Sequence, residues 1–156
     1  MPPHLMLSCR DCLTQADRDA ALAIRFAVFV DEQRVPPELE ADEYDAKAVH
    51  LLAVNEPTGE AIGTARLVDK GHGVVKIGRV AVLKPWRGQG VGASLMRYAL
   101  HRAHADNKTR VVLDAQVPVI PFYEALGFVA EGPVFDDAGI PHRRMTLTLS
   151  PPPSAP

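Results

Sequence analysis

The sequence predicts a mixed α/β fold, a single domain built on a central and mostly antiparallel sheet flanked by helices. Three observations lead there. Three strand-like runs, Val49–Asn55, Ala61–Val68 and Val74–Leu83, follow one another through short connections holding Pro57, Gly59, Gly71 and Gly73, the pattern of antiparallel neighbours. After Pro85 the apolar spacing turns helical, with Val91, Leu95, Met96, Ala99, Leu100 and Ala103 on one face. The rest of the order is strand, helix and two strands, which suits one α/β layer structure. The 156 residues fit one compact domain, placed at 1–149, and 47% apolar residues suffice for its core.

Taken in order, Leu5–Cys9 reads as a short first strand. Thr14 and Asp17 resemble a capping box, with Asp in place of the usual Glu. Ala20, Ile24, Ala27 and Val28 then continue at helical spacing, predicting one helix over Gln15–Asp31. Pro36 and Pro37 force an extended break. An acidic run, Glu38 to Asp45, comes next. After the three-strand meander, a helix is expected over Gly90–Asp106, a strand over Arg110–Ala115, and a short helix over Val119–Leu126 that Gly127 ends as a C-cap. Phe128–Val134 and Arg143–Leu149 close the domain as strands, joined around Asp136, Gly139 and Pro141. The proline-rich tail, 150–156, is expected to be disordered.

Composition narrows the function. A net charge of -2 gives no electrostatic footprint for nucleic acid. No apolar run reaches membrane-spanning length, and Met1–Leu7 lacks the basic and apolar regions of a secretory signal, so a cytoplasmic protein without a membrane partner is expected. Cys9 and Cys12 form a C-x-x-C with no second ligand pair, which reads as two reduced cysteines rather than a metal site. No metal is expected.

The segment that carries chemistry is RVAVLKPWRGQGVGA, Arg79 to Ala93. A strand runs into a loop with Gly88, Gly90 and Gly92, and the loop opens a helix. Glycines allow close backbone approach, and the unpaired N–H groups and dipole of a helix start favour an anion such as pyrophosphate. The Gly-Lys-Ser/Thr of a P-loop is missing, because Val91 and Gly92 follow Gly90. The G-x-G-x-x-G of a dinucleotide fold is missing too.

Arg87-x-x-Gly90-x-Gly92 instead resembles the pyrophosphate loop of GNAT acetyltransferases. Downstream, Gln116, Val119, Tyr123, Gly127 and Phe128 stand at the spacings of a second GNAT pattern, with Gln for Asn and Val for Ala. Val28-Phe29-Val30-Asp31-Glu32-Gln33, Val35-Pro36, the acidic run and Gly139-Ile140-Pro141-His142 are similar to the ElaA-like bacterial subgroup. The resemblance implies a GNAT-like sheet that splays between Val74–Leu83 and Arg110–Ala115 to admit acetyl-CoA.

It also implies roles. The backbone of Val80, Ala81 and Val82 would pair with the pantetheine arm, one N–H polarising the thioester carbonyl. Arg87, Gly88, Gln89, Gly90, Val91, Gly92 and Ala93 would hold the pyrophosphate. Gln116 would bond the pantetheine chain or help hold the strands apart. Tyr123 would be the general acid at the CoA sulfur. The general base stays open: Glu32 and His142 rank equally, with His50 and the acidic loop behind them. The acidic run reads first as a solvated loop, with Asp42 and Asp45 available to pair with Arg25 or Lys47. Transfer would be direct, in a ternary complex with a small-molecule or peptide amine, and Cys9 and Cys12 take no covalent part. A catalytically silent acyl-CoA sensor of the same fold is the alternative. The family's common dimerisation makes a homodimer an expectation.

Overall fold

The computed structural model describes residues 5–150, so most of the predicted tail lies outside the described residues. Seven strands among them form one sheet. In chain order they are β1 (Leu7–Asp11), β2 (Val49–Asn55), β3 (Glu60–Gly71), β4 (Val74–Val82), β5 (Arg110–Gln116), β6 (Val129–Asp137) and β7 (Ile140–Thr148). They lie side by side as β1-β2-β3-β4-β5-β7-β6. All neighbours are antiparallel except β4 and β5. That parallel pair is joined over only three residues, Val74–Lys76 beside Arg110–Val112. Beyond Lys76 the strands part, and the sheet splays where the sequence motifs place it.

Two helices cover the opposite faces. Helix α1 (Gln15–Arg25) and helix α3 (Val91–Ala105) define separate cores. On β2, Leu51 and Ala53 pack into the α3 core, while Leu52 and Val54 pack into the α1 core. This is the alternation a doubly covered strand requires. At Gly63 on β3, a Cβ would stand 2.9 Å from Leu95 Cδ1 and 3.1 Å from Val91 Cγ1. The missing side chain lets α3 lie close against the sheet, with its first turn beside β4.

Several elements differ from the sequence reading. The first strand lies two residues later than Leu5–Cys9. Thr14 does cap α1, its Oγ1 accepting from Asp17 N at 3.1 Å, but Asp17 turns its carboxylate to Arg10. The single helix expected to Asp31 ends as α-helix at Arg25 and continues as a seven-residue π-helix, Phe26–Glu32. Wider turns of this kind are invisible to a 3.6-residue period. A short helix α2 (Pro37–Glu40) and a 3₁₀ turn (Glu43–Ala46) occupy the acidic run. Helix α4 (Ile120–Ala125) follows a 3₁₀ turn, and Gly127 ends it at φ 99°. The last hairpin is longer than expected. Its loop is only Ala138-Gly139, both at positive φ, and Pro141 lies within β7, opposite Asp136. On the outer strand β6 the ladder breaks between Glu131 and Phe135, at Gly132 (φ 77°) and Pro133.

The acidic run is a structural keystone rather than a solvated loop. Arg25, 1% exposed, donates to Glu40 at 2.7 Å and to both oxygens of Asp45 at 2.8 and 3.1 Å. Arg66 makes a fork onto Asp42 and a further bond to Asp45. Arg79 donates to the Glu40 carbonyl and to Asp42. The expected Arg25–Asp45 pair is present, whereas Asp42 pairs with Arg66 and Arg79 rather than Lys47. The bonds from Arg66 hold the Asp42 carboxyl below its ordinary range; burial opposes this at Asp45, yet its bonds from Arg25, the Asp42 amide and Arg66 prevail.

Both folded pKa values therefore lie below the unfolded value of about 3.9. Their stabilisation is present above that pH and is lost as the pH falls through the folded values. Unfolding free energy measured against pH should be level near neutrality and drop steeply below about pH 4. Arg25→Ala strands two carboxylates and should cost about 3–5 kcal/mol in chemical denaturation. A loss below about 1 kcal/mol would show that the cluster is not a keystone.

Candidate active site

The opening between β4 and β5 is a cleft of about 680 Å³. Its walls follow from local sequence. Two steps along β3 (Thr64 to Arg66) oppose three along β4 (Ala81 to Gly78), a bulge that leaves Arg79 in the left-handed region at φ 51°. That conformation is uncommon for a residue with a Cβ. The bonds from Arg79 to the 39–42 segment hold it there. Beyond the bulge, Leu83 N donates to Ile62 O on the β3 side. Strand alternation turns the Val82 N–H the other way, into the cleft.

At the end of β4 the chain turns through a 3₁₀ segment, Lys84–Trp86, and enters the glycine loop. Gly88 and Gly90 adopt φ 77° and 84°. Gly90 is the N-cap of α3 and supplies no side-chain cap, and the first helical bond runs from Ser94 N to Gly90 O. The N–H groups of Val91, Gly92 and Ala93 are left for an anion, reinforced by a fifteen-residue helix dipole. Gly92 itself is helical; a Cβ there would make ordinary contact with Phe122 at 3.6 Å and Val82 at 3.9 Å. Arg87 Nε donates to Val82 O at 2.9 Å, pinning the loop to the strand.

On the β5 side, Tyr123 of α4 is nearly buried, wedged edge-on between Phe122 and Phe128 at 5.0 and 6.0 Å. Tyr123 lines the cleft, and its hydroxyl makes no hydrogen bond among the described residues. Burial pushes its pKa up to about 12, so it stays protonated throughout the neutral range. Gln116, at the end of β5, donates to Gln33 Oε1 at 2.9 Å and so bridges the splayed sheet to the end of the π-helix.

Most of the expected site residues meet at this cleft: Val80, Ala81, Val82, Arg87, Gly88, Gly90 to Ala93, Gln116, Tyr123 and His142. Gln89 is outside the lining and turns its amide to the Pro85 carbonyl. Glu32 is also outside it, with both carboxylate oxygens taken by Arg87 at 2.8 and 2.9 Å. His50 lies on β2 and bonds the Asp45 carbonyl, away from the cleft. His142 pairs across the ladder with Gln116. Its Nδ1 lies 2.7 Å from the Ile140 carbonyl. A carbonyl only accepts, so Nδ1 carries the proton and Nε2 keeps a lone pair.

Gln33, Phe29, Arg79 and Asp137 also line the cleft, and the sequence reading passed over them in this role. Gly78, a glycine within a strand, was the one available signal for the bulge. Burial raises both thiols, Cys12 to about 11, which leaves them poor nucleophiles. Among the described residues no cluster of three or more His, Cys, Asp or Glu side chains is placed to hold a metal. No helix among them is long and apolar enough to cross a membrane.

Comparison with known proteins agrees with this geometry. Residues 13–149 match the family model described as "Acetyltransferase (GNAT) domain". The chain is 39% identical over 127 residues to the uncharacterized N-acetyltransferase YjcF of Bacillus subtilis, covering 80% of this chain and 88% of YjcF. The crystal structure of an acyl-CoA N-acyltransferase from Pseudomonas aeruginosa superposes with TM-score 0.79 at 36% identity, over 92% of this chain and 99% of that one. Escherichia coli ElaA superposes with TM-score 0.78 at 32% identity, over 90% and 99%. With a splayed sheet, a glycine-rich helix start and a free tyrosine hydroxyl facing one cleft, the chain belongs to the GNAT acetyltransferase family, the acyl-CoA-dependent N-acyltransferases.

Proposed function

We propose that the protein transfers an acetyl group from acetyl-CoA to a primary amine by direct attack in a ternary complex. The observation that carries this reading is the convergence of Val82 N–H, the free Tyr123 hydroxyl and His142 on one cleft that begins at an uncapped helix. The fit to an acyl-CoA donor is good. The N–H groups of Val91, Gly92 and Ala93 would hold the pyrophosphate, and the open edge of β4 would take the pantetheine arm as an added strand.

His142 is the better base. Its Nε2 lone pair is fixed by the Nδ1–Ile140 bond, whereas both oxygens of Glu32 are bound to a guanidinium. The amine nitrogen attacks the thioester carbonyl carbon, forming the C–N bond as the C–S bond breaks. The nitrogen gives up its proton to Nε2, and the sulfur departs with the C–S electron pair as a thiolate, which takes a proton from solvent after transfer. One backbone N–H of the open β4 edge, among Val80, Ala81 and Val82, would face the carbonyl oxygen where negative charge grows. Tyr123 donates a hydrogen bond to the leaving sulfur. With its pKa at about 12, well above the roughly 8.5 of an ordinary thiol, the phenol chiefly stabilises a thiolate by that bond.

The test is CoA thiol release across a panel of amines, with acetyl-CoA binding measured in parallel and a no-acceptor control. Release with one class of amine supports the transferase. Binding without release from any amine would replace it with an acyl-CoA sensor. Tyr123→Phe should lower kcat on the order of 10²-fold while the KM for acetyl-CoA stays within about threefold; an unchanged kcat would remove Tyr123 from the chemistry.

His142→Gln should lower kcat by about 10²-fold or more. Glu32→Gln should keep kcat within about twofold. The reverse pattern would make Glu32 the base.

A further inference from the structure

A second cavity, of about 370 Å³, adjoins the cleft and shares Gln33, Arg79, Asp137 and His142 with it. Its polar lining is out of balance. Arg66 is 7% exposed, and its Nε has no hydrogen-bond partner although its other nitrogens are spent on Asp42 and Asp45. A buried guanidinium N–H without a partner is costly. Arg79 uses Nε and Nη2 on the 39–42 segment, while Nη1 has no partner among the described residues. Lys70 lines the same cavity. Its Nζ lies 5.0 Å over the Tyr44 ring and meets no carboxylate among the described residues.

Charge accounting sharpens the point. The three arginines 25, 66 and 79 offset the carboxylates of Glu40, Asp42 and Asp45, to which they are bonded. Lys76 and Arg144 share Asp114, at 2.9 and 2.6 Å. What is left in the lining is one cation, Lys70, and one carboxylate, Asp137, which makes no ion pair among the described residues. Asp137 stands on the boundary with the cleft, beside His142 in the shared lining; Lys70 and Arg66 line only the outer cavity.

From this arrangement we infer that the acceptor is an amino carboxylate, its carboxylate held by Lys70 and Arg79 and its amine directed to Asp137 and His142 at the cleft. A single negative charge matches Lys70, the cation of the lining that makes no ion pair among the described residues, and the amine is drawn to Asp137 on the way to the base. Burial and the neighbouring arginines lower the pKa of Arg79, so an arriving anion stabilises its charged form. The carboxylate takes no part in bond making; the transfer step is the one given above, and this substrate class rests on that reading.

The test is calorimetric binding, without acetyl-CoA, of the twenty α-amino acids, each matched with its carboxamide and its decarboxylated amine. At least one amino acid should bind about tenfold or more tighter than both of its matched forms. Lys70→Glu, a substitution at an exposed position, should erase that preference while acetyl-CoA affinity stays the same and thermal unfolding shows the variant folded. Equal or tighter binding of every carboxamide or amine overturns the inference, as does a preference that survives Lys70→Glu. Thiol release run beside the titrations separates the two readings. Selective amino-acid binding with no thiol release refutes the transferase but supports this pocket; release with decarboxylated amines alone supports the transferase and overturns the amino carboxylate.

Discussion

Three parallel residue pairs hold the two halves of the sheet together, and everything functional is arranged around where they stop. Val74–Lys76 lie beside Arg110–Val112, and after that β4 follows β3 while β5 follows β7. The divergence leaves backbone donors on β4 unpaired in a protein interior, a state that is normally penalised. It persists because other contacts fix each half. Gly63 lets α3 close against β3 and β4, and the Lys76–Asp114 and Arg144–Asp114 bonds lock the point of departure at 2.9 and 2.6 Å. An open edge held this firmly is a preformed place for an extended chain.

The arginine–carboxylate cluster does for the other wall what Gly63 does for α3. It ties α1, the acidic segment, β3 and the β4 bulge into one unit. Half of its members are buried and the rest partly so, and the cluster gains little over an apolar substitute, yet losing one member costs the others a partner. Its value lies in geometry. Arg79 sits in a backbone conformation that costs energy, and the tether to residues 39–42 offsets that cost.

Much of this was legible beforehand. β2 was expected at Val49–Asn55 and is found there, because both of its faces are covered and its apolar run ends at the turn signals Pro57 and Gly59. The glycine loop and Gly127 declared themselves because positive φ at Gly88, Gly90 and Gly127 needs the residue that was written there. Arg79 gave no such sign, since nothing about an arginine announces a left-handed turn. The π-helix was missed because its apolar residues still fit a helical pattern while its hydrogen bonds reach one residue further. The acidic run looked like a solvated loop because its partners, Arg66 and Arg79, lie over 20 residues away in sequence. For the same reason Glu32 and His142 were inseparable as bases: only the fold shows one bound to Arg87 and the other fixed by Ile140.

The break in β6 has a bearing on how the molecule behaves in a crowded solution. An outermost strand is a template for strangers, offering a row of unmet amides to any extended chain. Here that row is interrupted: Pro133 has no amide hydrogen, and Gly132 at φ 77° turns the backbone out of register between Glu131 and Phe135. The Gly132 carbonyl is moreover occupied by Arg143 at 2.9 Å. An incoming strand therefore finds two short stubs instead of a nine-residue ladder. This limits runaway sheet growth at the edge that exposes Val129, Val134 and Phe135.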